Sequence, residues 1–213
     1  IDLSIKLIGE NRFLCKDREY ITAIYAADGR LNRDLHIEGD GSLTIEFLNV
    51  STDAQGILAS NLTIASDINI IMPDCSNIVN CLICTSSLYV GNKASLTVNN
   101  GSGIHSSAVR VRGNALFEEG TSINITVNPG TVKTCKGLSI NGDLILSENM
   151  TMNVSIDDAA AELSECLRVT GLLDVGAGTP VNAQSKNCYG IECYGPIKLG
   201  NGSIISADSL KEG

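Results

Sequence analysis

Tryptophan is absent from this 213-residue chain, phenylalanine occurs three times and aromatic residues make up 4%. The interior must therefore come from Ile, Leu, Val, Ala and Met, which favours stacked aliphatic rows over a sandwich built round bulky anchors. Proline is scarce at four while glycine reaches 21, a balance that suits many tight turns between short strands. Positive charge is short too. Fifteen Lys and Arg stand against 24 Asp and Glu, a net charge of −9. That argues against nucleic acid as a partner, because phosphate binding needs a concentrated basic face. No apolar run approaches the roughly 20 residues of a transmembrane helix. The chain opens at Ile1 rather than Met, so it reads as a processed or excised segment of a larger protein.

What is present is a repeat. A small residue followed by an aliphatic anchors each unit, at Ile57, Leu82, Val109, Leu138, Leu167 and Ile191, spaced 25, 27, 29, 29 and 24 residues apart. Within most units apolar residues recur at the anchor and at +2, +6, +8, +14 and +16. From Leu82 these are Leu82, Cys84, Leu88, Val90, Leu96 and Val98; from Leu138 they are Leu138, Ile140, Leu144, Leu146, Met152 and Val154. Two earlier units, from Ile24 and Ile57, fit with altered turn lengths, and Ile5, Leu7, Phe13 and Cys15 supply a partial first one.

Residues two apart point to the same side of a strand, so each apolar pair marks a short strand facing inward. Three such strands per unit make one triangular coil, which buries its rows only by stacking on the next. The expected fold is all-β: a single domain over 1–213, a right-handed single-stranded parallel β-helix of about eight coils with three short strands each. At about 4.8 Å per coil the rod is on the order of 38 Å long. Turns belong at Asn141-Gly142-Asp143, Gly176-Ala177-Gly178 and Gly200-Asn201-Gly202, where positive φ is cheap. Insertions cluster after +16, at Asn99–Ser107, Asn128–Thr134 and Asp157–Glu165.

Eight cysteines could form disulfides in an exported protein. Their slots favour buried thiols instead. Cys84 and Cys193 share the inward +2 position, Cys81 and Cys166 sit just before the anchor, and Cys135 and Cys188 three before it. Equivalent pairs lie two or more coils apart, beyond the roughly 7 Å Cα limit for a bridge. Cys81 and Cys84 match a CxxC, but no second CxxC or nearby His supports zinc.

The segment Ile5-Lys6-Leu7-Ile8-Gly9-Glu10-Asn11, with Ile24-Tyr25-Ala26 and the run from Leu35 to Ile45, resembles the opening coils of a bacterial family. These are the carbohydrate-binding domain-containing β-helix proteins of the pectate-lyase-like right-handed parallel β-helix superfamily. Later units such as Gly137-Leu138-Ser139-Ile140-Asn141-Gly142 look like that family's inner repeats. The resemblance implies an extracellular or cell-surface protein that binds acidic polysaccharide without catalysis, sometimes with calcium.

The same fold hosts pectin-degrading enzymes. A polygalacturonase-like site needs clustered Asp with Gly-His-Gly and Arg-x-Lys, whereas His36 and His105 lie in Leu-His-Ile and Ile-His-Ser. A lyase-like site needs acidic calcium ligands beside an Arg base. Arg110, Arg112 and Arg168 are outward on the first sheet, with Glu192 as the nearest carboxylate by offset. No enzyme is expected. For binding, two candidate surfaces emerge. The +15 and +17 positions of the third sheet form a polar ladder that includes Asn124, Thr126, Asn153 and Asn182, able to hydrogen-bond a linear glycan. Such ladders also stabilise stacked strands with no ligand. The second surface is Arg110, Arg112 and Arg168 near Tyr194, where guanidinium groups could hold a carboxylate; solvated surface arginines are the competing reading. Asp157, Asp158 and Glu162, with Glu165, are candidate Ca²⁺ ligands, set against a short solvated helix at the same place. The partner expected is a polysaccharide, acidic by preference.

Overall fold

The computed structural model describes residues 2–27, 33–91, 93–128, 134–157, 163–185 and 189–209. Among the described residues seventeen strands join in one continuous parallel sheet that winds into a β-solenoid of about six turns. No helix among the described residues is long and apolar enough to cross a membrane.

The apolar offsets become inward columns. On the first sheet Ile24, Ile57, Leu82, Val109, Leu138, Leu167 and Ile191 stack in register, six successive pairings. On the second, Leu62, Leu88, Ala115, Leu144, Leu173 and Ile197 do the same. On the third, Ile68, Leu96, Ile123, Met152, Val181 and Ile205 follow. Period-2 alternation turns these residues inward; central rungs such as Leu82, Leu88 and Leu96 are at most 1% exposed, while Ile197 on the last rung stays 52% exposed. The first coil is shifted from expectation. Leu3 and Ile5 meet Leu35 and Ile37, so Leu7 meets Gly39. Phe13 pairs with Ile45 on the outermost described rung and stays 43% exposed.

Corners carry their own columns. Between the second and third sheets a left-handed residue recurs on five successive coils: Lys93, Gly120, Asn149, Gly178 and Gly202, with φ from 54° to 75°. That conformation costs an L-residue about 1–2 kcal/mol, so Gly178→Ala is expected to lower stability by about that amount in urea unfolding. The new Cβ would also sit 2.9 Å from Asn149 Oδ1.

Carboxylates cap the next coil. Asp53 Oδ1 accepts from the Ile78 backbone N–H (3.1 Å), Asp67 Oδ1 from Ser95 (2.8 Å), Asp74 Oδ1 from Ser102 (2.8 Å) and Asp143 Oδ1 from Leu172 (2.8 Å). Part of the acidic surplus thus satisfies backbone donors at corners, where the ladder leaves them open.

The cysteines behave as core. No disulfide joins any of the seven described, and Cys81, Cys84, Cys135 and Cys166 are buried. Cys188 lies outside the described residues. Cys81 Sγ donates to Asn100 Oδ1 (2.9 Å), and Asn100 Nδ2 donates to Ser106 Oγ (2.6 Å). This small polar network is enclosed by the solenoid.

Candidate functional site

The outward face of the first sheet is built from three columns. Counting from each anchor, the −4 column runs Asp53, Ile78, His105, Thr134; the −2 column runs Gln55, Asn80, Ser107, Lys136, Glu165, Tyr189; and the +1 column runs Tyr25, Leu58, Ile83, Arg110, Ser139, Arg168, Glu192. The face changes character along the rod. At the start stand Tyr20 and Tyr25, each 64% exposed. A shallow groove of about 220 Å³ opens beside Tyr20, Thr22, Asp53 and Gln55. In the middle a second groove of about 330 Å³ is lined by Asn80, His105, Ser107, Arg110, Thr134 and Lys136. At the far end lie Tyr189 and Tyr194, 67% and 63% exposed. Four of the five tyrosines of the chain therefore share this face.

The cations of the face are held differently. Arg110 is exposed and makes no hydrogen bond or ion pair among the described residues. Lys136 Nζ lies 3.0 Å from Glu165 Oε2. Arg168 Nε stands 3.9 Å from the same oxygen and 3.5 Å from Glu192 Oε2. Its guanidinium also lies over the Tyr194 ring, 5.4 Å from the centroid. Tyr194 donates its hydroxyl to Glu192 Oε1 (2.8 Å). That bond to Glu192 holds the phenol above its ordinary value, with Arg168 pulling the other way. Glu165 Oε2, Arg168 Nε and Glu192 Oε2 are buried atoms at ion-pair distance, yet none completes a well-angled hydrogen bond. Such under-satisfied buried groups are rare and call for a reason.

Of the sequence candidates, Arg110 and Arg168 fall on this face, two rungs apart, and Arg112 follows in the exposed turn. Lys136 and Glu165 were not anticipated as a pair. Both occupy the −2 column, which a register counted forward from the anchor skips; counting backward would have found them. Glu165 was also expected in a loop or short helix, whereas Leu163–Val169 is a strand. Parallel pairing with Thr134–Ile140 fixes Glu165 opposite Lys136.

The polar ladder of the third sheet is bonded to itself. Asn153 Nδ2 donates to Asn124 Oδ1 (3.0 Å) and Asn182 Nδ2 to Asn153 Oδ1 (2.9 Å). Asn124 Nδ2 donates to Ser122 Oγ, and Ser155 Oγ lies 3.4 Å from Thr126 Oγ1. One amide N–H per coil remains for a ligand at Asn153 and Asn182. Of the calcium candidates, Asp157 and Glu165 fall among the described residues. Asp158 and Glu162 lie outside the described residues, and no group of three or more His, Cys, Asp or Glu among the described residues could hold a metal ion.

A larger depression, about 470 Å³, occupies a corner lined by Lys93, Glu118, Glu119, Ser147 and Glu148. It is made of turn residues, and Asn149 Nδ2 already donates to Glu119 Oε1 (3.2 Å). The first face is the better site, because among the described residues it brings grooves, cations and four exposed aromatic rings together. No protein-family model, curated protein or solved structure matches the chain.

Proposed function

We propose that the chain is a non-catalytic binding module for a linear acidic polysaccharide lying along the outward face of the first sheet. One observation carries this reading: exposed tyrosines stand at both ends of a face whose central groove holds Arg110, Lys136 and His105. Aromatic rings present an apolar surface to sugar C–H groups, and a guanidinium takes a carboxylate in bidentate fashion. The rungs repeat every 4.8 Å or so, close to the length of one pyranose residue. Glu165 and Glu192 are engaged with Lys136 and Arg168, which disfavours a role as free catalytic acids. A cell-surface or secreted bacterial location follows from such a ligand. The winding is right-handed by the general preference of parallel crossovers, and partial coils at the two ends bring the count to eight.

Calorimetric titration with an oligogalacturonate, with and without Ca²⁺, tests the proposal. Arg110→Ala should weaken binding about tenfold or more, the range for one charge-assisted contact. Its melting temperature should hold, since no described residue depends on that side chain. Failure to bind any acidic or neutral glycan under either condition removes the reading and leaves a structural or adhesive stalk, which the self-bonded Asn ladder would serve.

A further inference from the structure

The face carries one cation on each of three successive coils, in a zigzag: Arg110 in the +1 column, Lys136 in the −2 column, Arg168 in the +1 column again. Consecutive residues of a two-fold uronate chain turn their carboxylates to alternate sides, so the zigzag has the symmetry of such a ligand. Two of the three cations are nevertheless occupied by the protein itself. Glu165 Oε2 reaches Lys136 at 3.0 Å and Arg168 at 3.9 Å, placing one carboxylate oxygen between the two groups that a ligand would need.

We propose that Glu165 is a built-in competitor for the ligand carboxylate, setting the affinity of this face for anionic glycan. The inference rests on the proposed binding of acidic polysaccharide and adds its regulation. The position is well chosen for the task. Glu165 belongs to a strand locked in register with Lys136 on one side and Tyr189 on the other, so it cannot drift away. Its Oε2 atom is buried without a well-angled hydrogen bond, so the contact is electrostatic and under-satisfied, poised to be exchanged for a better partner. An incoming carboxylate that takes Lys136 leaves Glu165 with Arg168, and Arg168 retains Glu192 at 3.5 Å. The ladder can therefore release a cation without stranding a charge.

Glu165 is thus a positioning residue, and its removal should strengthen binding where loss of a purely structural ion pair would leave it unchanged or weaker. The experiment titrates tetragalacturonate, with cellotetraose as the neutral control, into the intact chain and into the variants Glu165→Gln, Lys136→Met and the double variant. Glu165→Gln should bind tetragalacturonate about three- to tenfold more tightly, with cellotetraose unaffected. The gain should vanish in the double variant, since it acts through Lys136. A parent chain that binds weakly or not at all, with a Glu165→Gln variant that binds, also supports the proposal. Tetragalacturonate binding by the parent that Glu165→Gln leaves equal or weaker overturns the competitor role while the binding function stands. No uronate binding by any variant overturns both. Thermal melts of all four proteins confirm that each is folded when titrated.

Discussion

Phe117→Ala is expected to lower the unfolding free energy by about 3–5 kcal/mol, the usual range for emptying a fully buried aromatic site. Phe117 is 0% exposed and heads the fully buried side chains by volume. It stands between Val90 on one coil and Leu146 on the next. In a solenoid each coil is covered only by its neighbours, so a cavity there loosens two interfaces at once and cannot be closed from elsewhere. Urea unfolding followed by circular dichroism measures the effect. A second variant isolates its cause. Phe13 has the same side chain in the equivalent inward stripe of the third sheet, but on the outermost described rung, 43% exposed. Phe13→Ala should cost about 1 kcal/mol, since little area is lost. Equal costs at the two sites would mean that the stack is not organised in these rungs.

The core could be read in the sequence because it depends on a local signal. Inward residues two apart, repeated at six offsets, announce themselves wherever the chain is cut. Ile123, Ile140, Leu173 and Val175 all occupy the slots so assigned and are fully buried. The candidate site could not be read in the same way. Lys136 and Glu165 are 29 residues apart and meet only because a whole coil closes between them. Outward positions carry no hydropathy pattern, so nothing in the local sequence distinguishes a paired cation from a solvated one. Tyr20 and Tyr189 were missed for the same reason, as both precede their anchors. Asn100 is the converse case. It fills an inward slot opposite Val127, and its amide is satisfied by Cys81 and Ser106. A polar residue in an apolar column is legible only once its partners are known.

Raising the pH from 9 to 11 should remove about 2 kcal/mol of stability through the Cys84 thiol, with Cys81 acting in the same direction. Cys81 and Cys84 are 0% exposed, and burial lifts both well above the ordinary thiol value of 9.0. Cys75 is pushed to about 11 by burial, with Asp53 and Asp74 adding to the rise. Above pH 9 the unfolded chain gives up these protons while the folded chain keeps them. The unfolded state then binds fewer protons, so stability falls with rising pH. The contribution is therefore whole below pH 9 and lost progressively above it. For a thiol that stays protonated to pH 11, unfolding releases half a proton at pH 9 and nearly a whole one by pH 11, which integrates to about 2 kcal/mol. Cys75 is partly exposed and adds to the direction only. Urea midpoints at pH 7, 9 and 11 should be level over the first interval and drop over the second. Cys84→Ala isolates the cause, because it leaves every lysine and tyrosine in place and should make the alkaline drop shallower by about 2 kcal/mol, the share of that thiol. An unchanged drop in that variant would assign the alkaline loss to surface groups instead. Thiol reagents at pH 8 should label Cys81 and Cys84 slowly in the folded chain and all eight cysteines after unfolding, since the reactive thiolate is what burial suppresses.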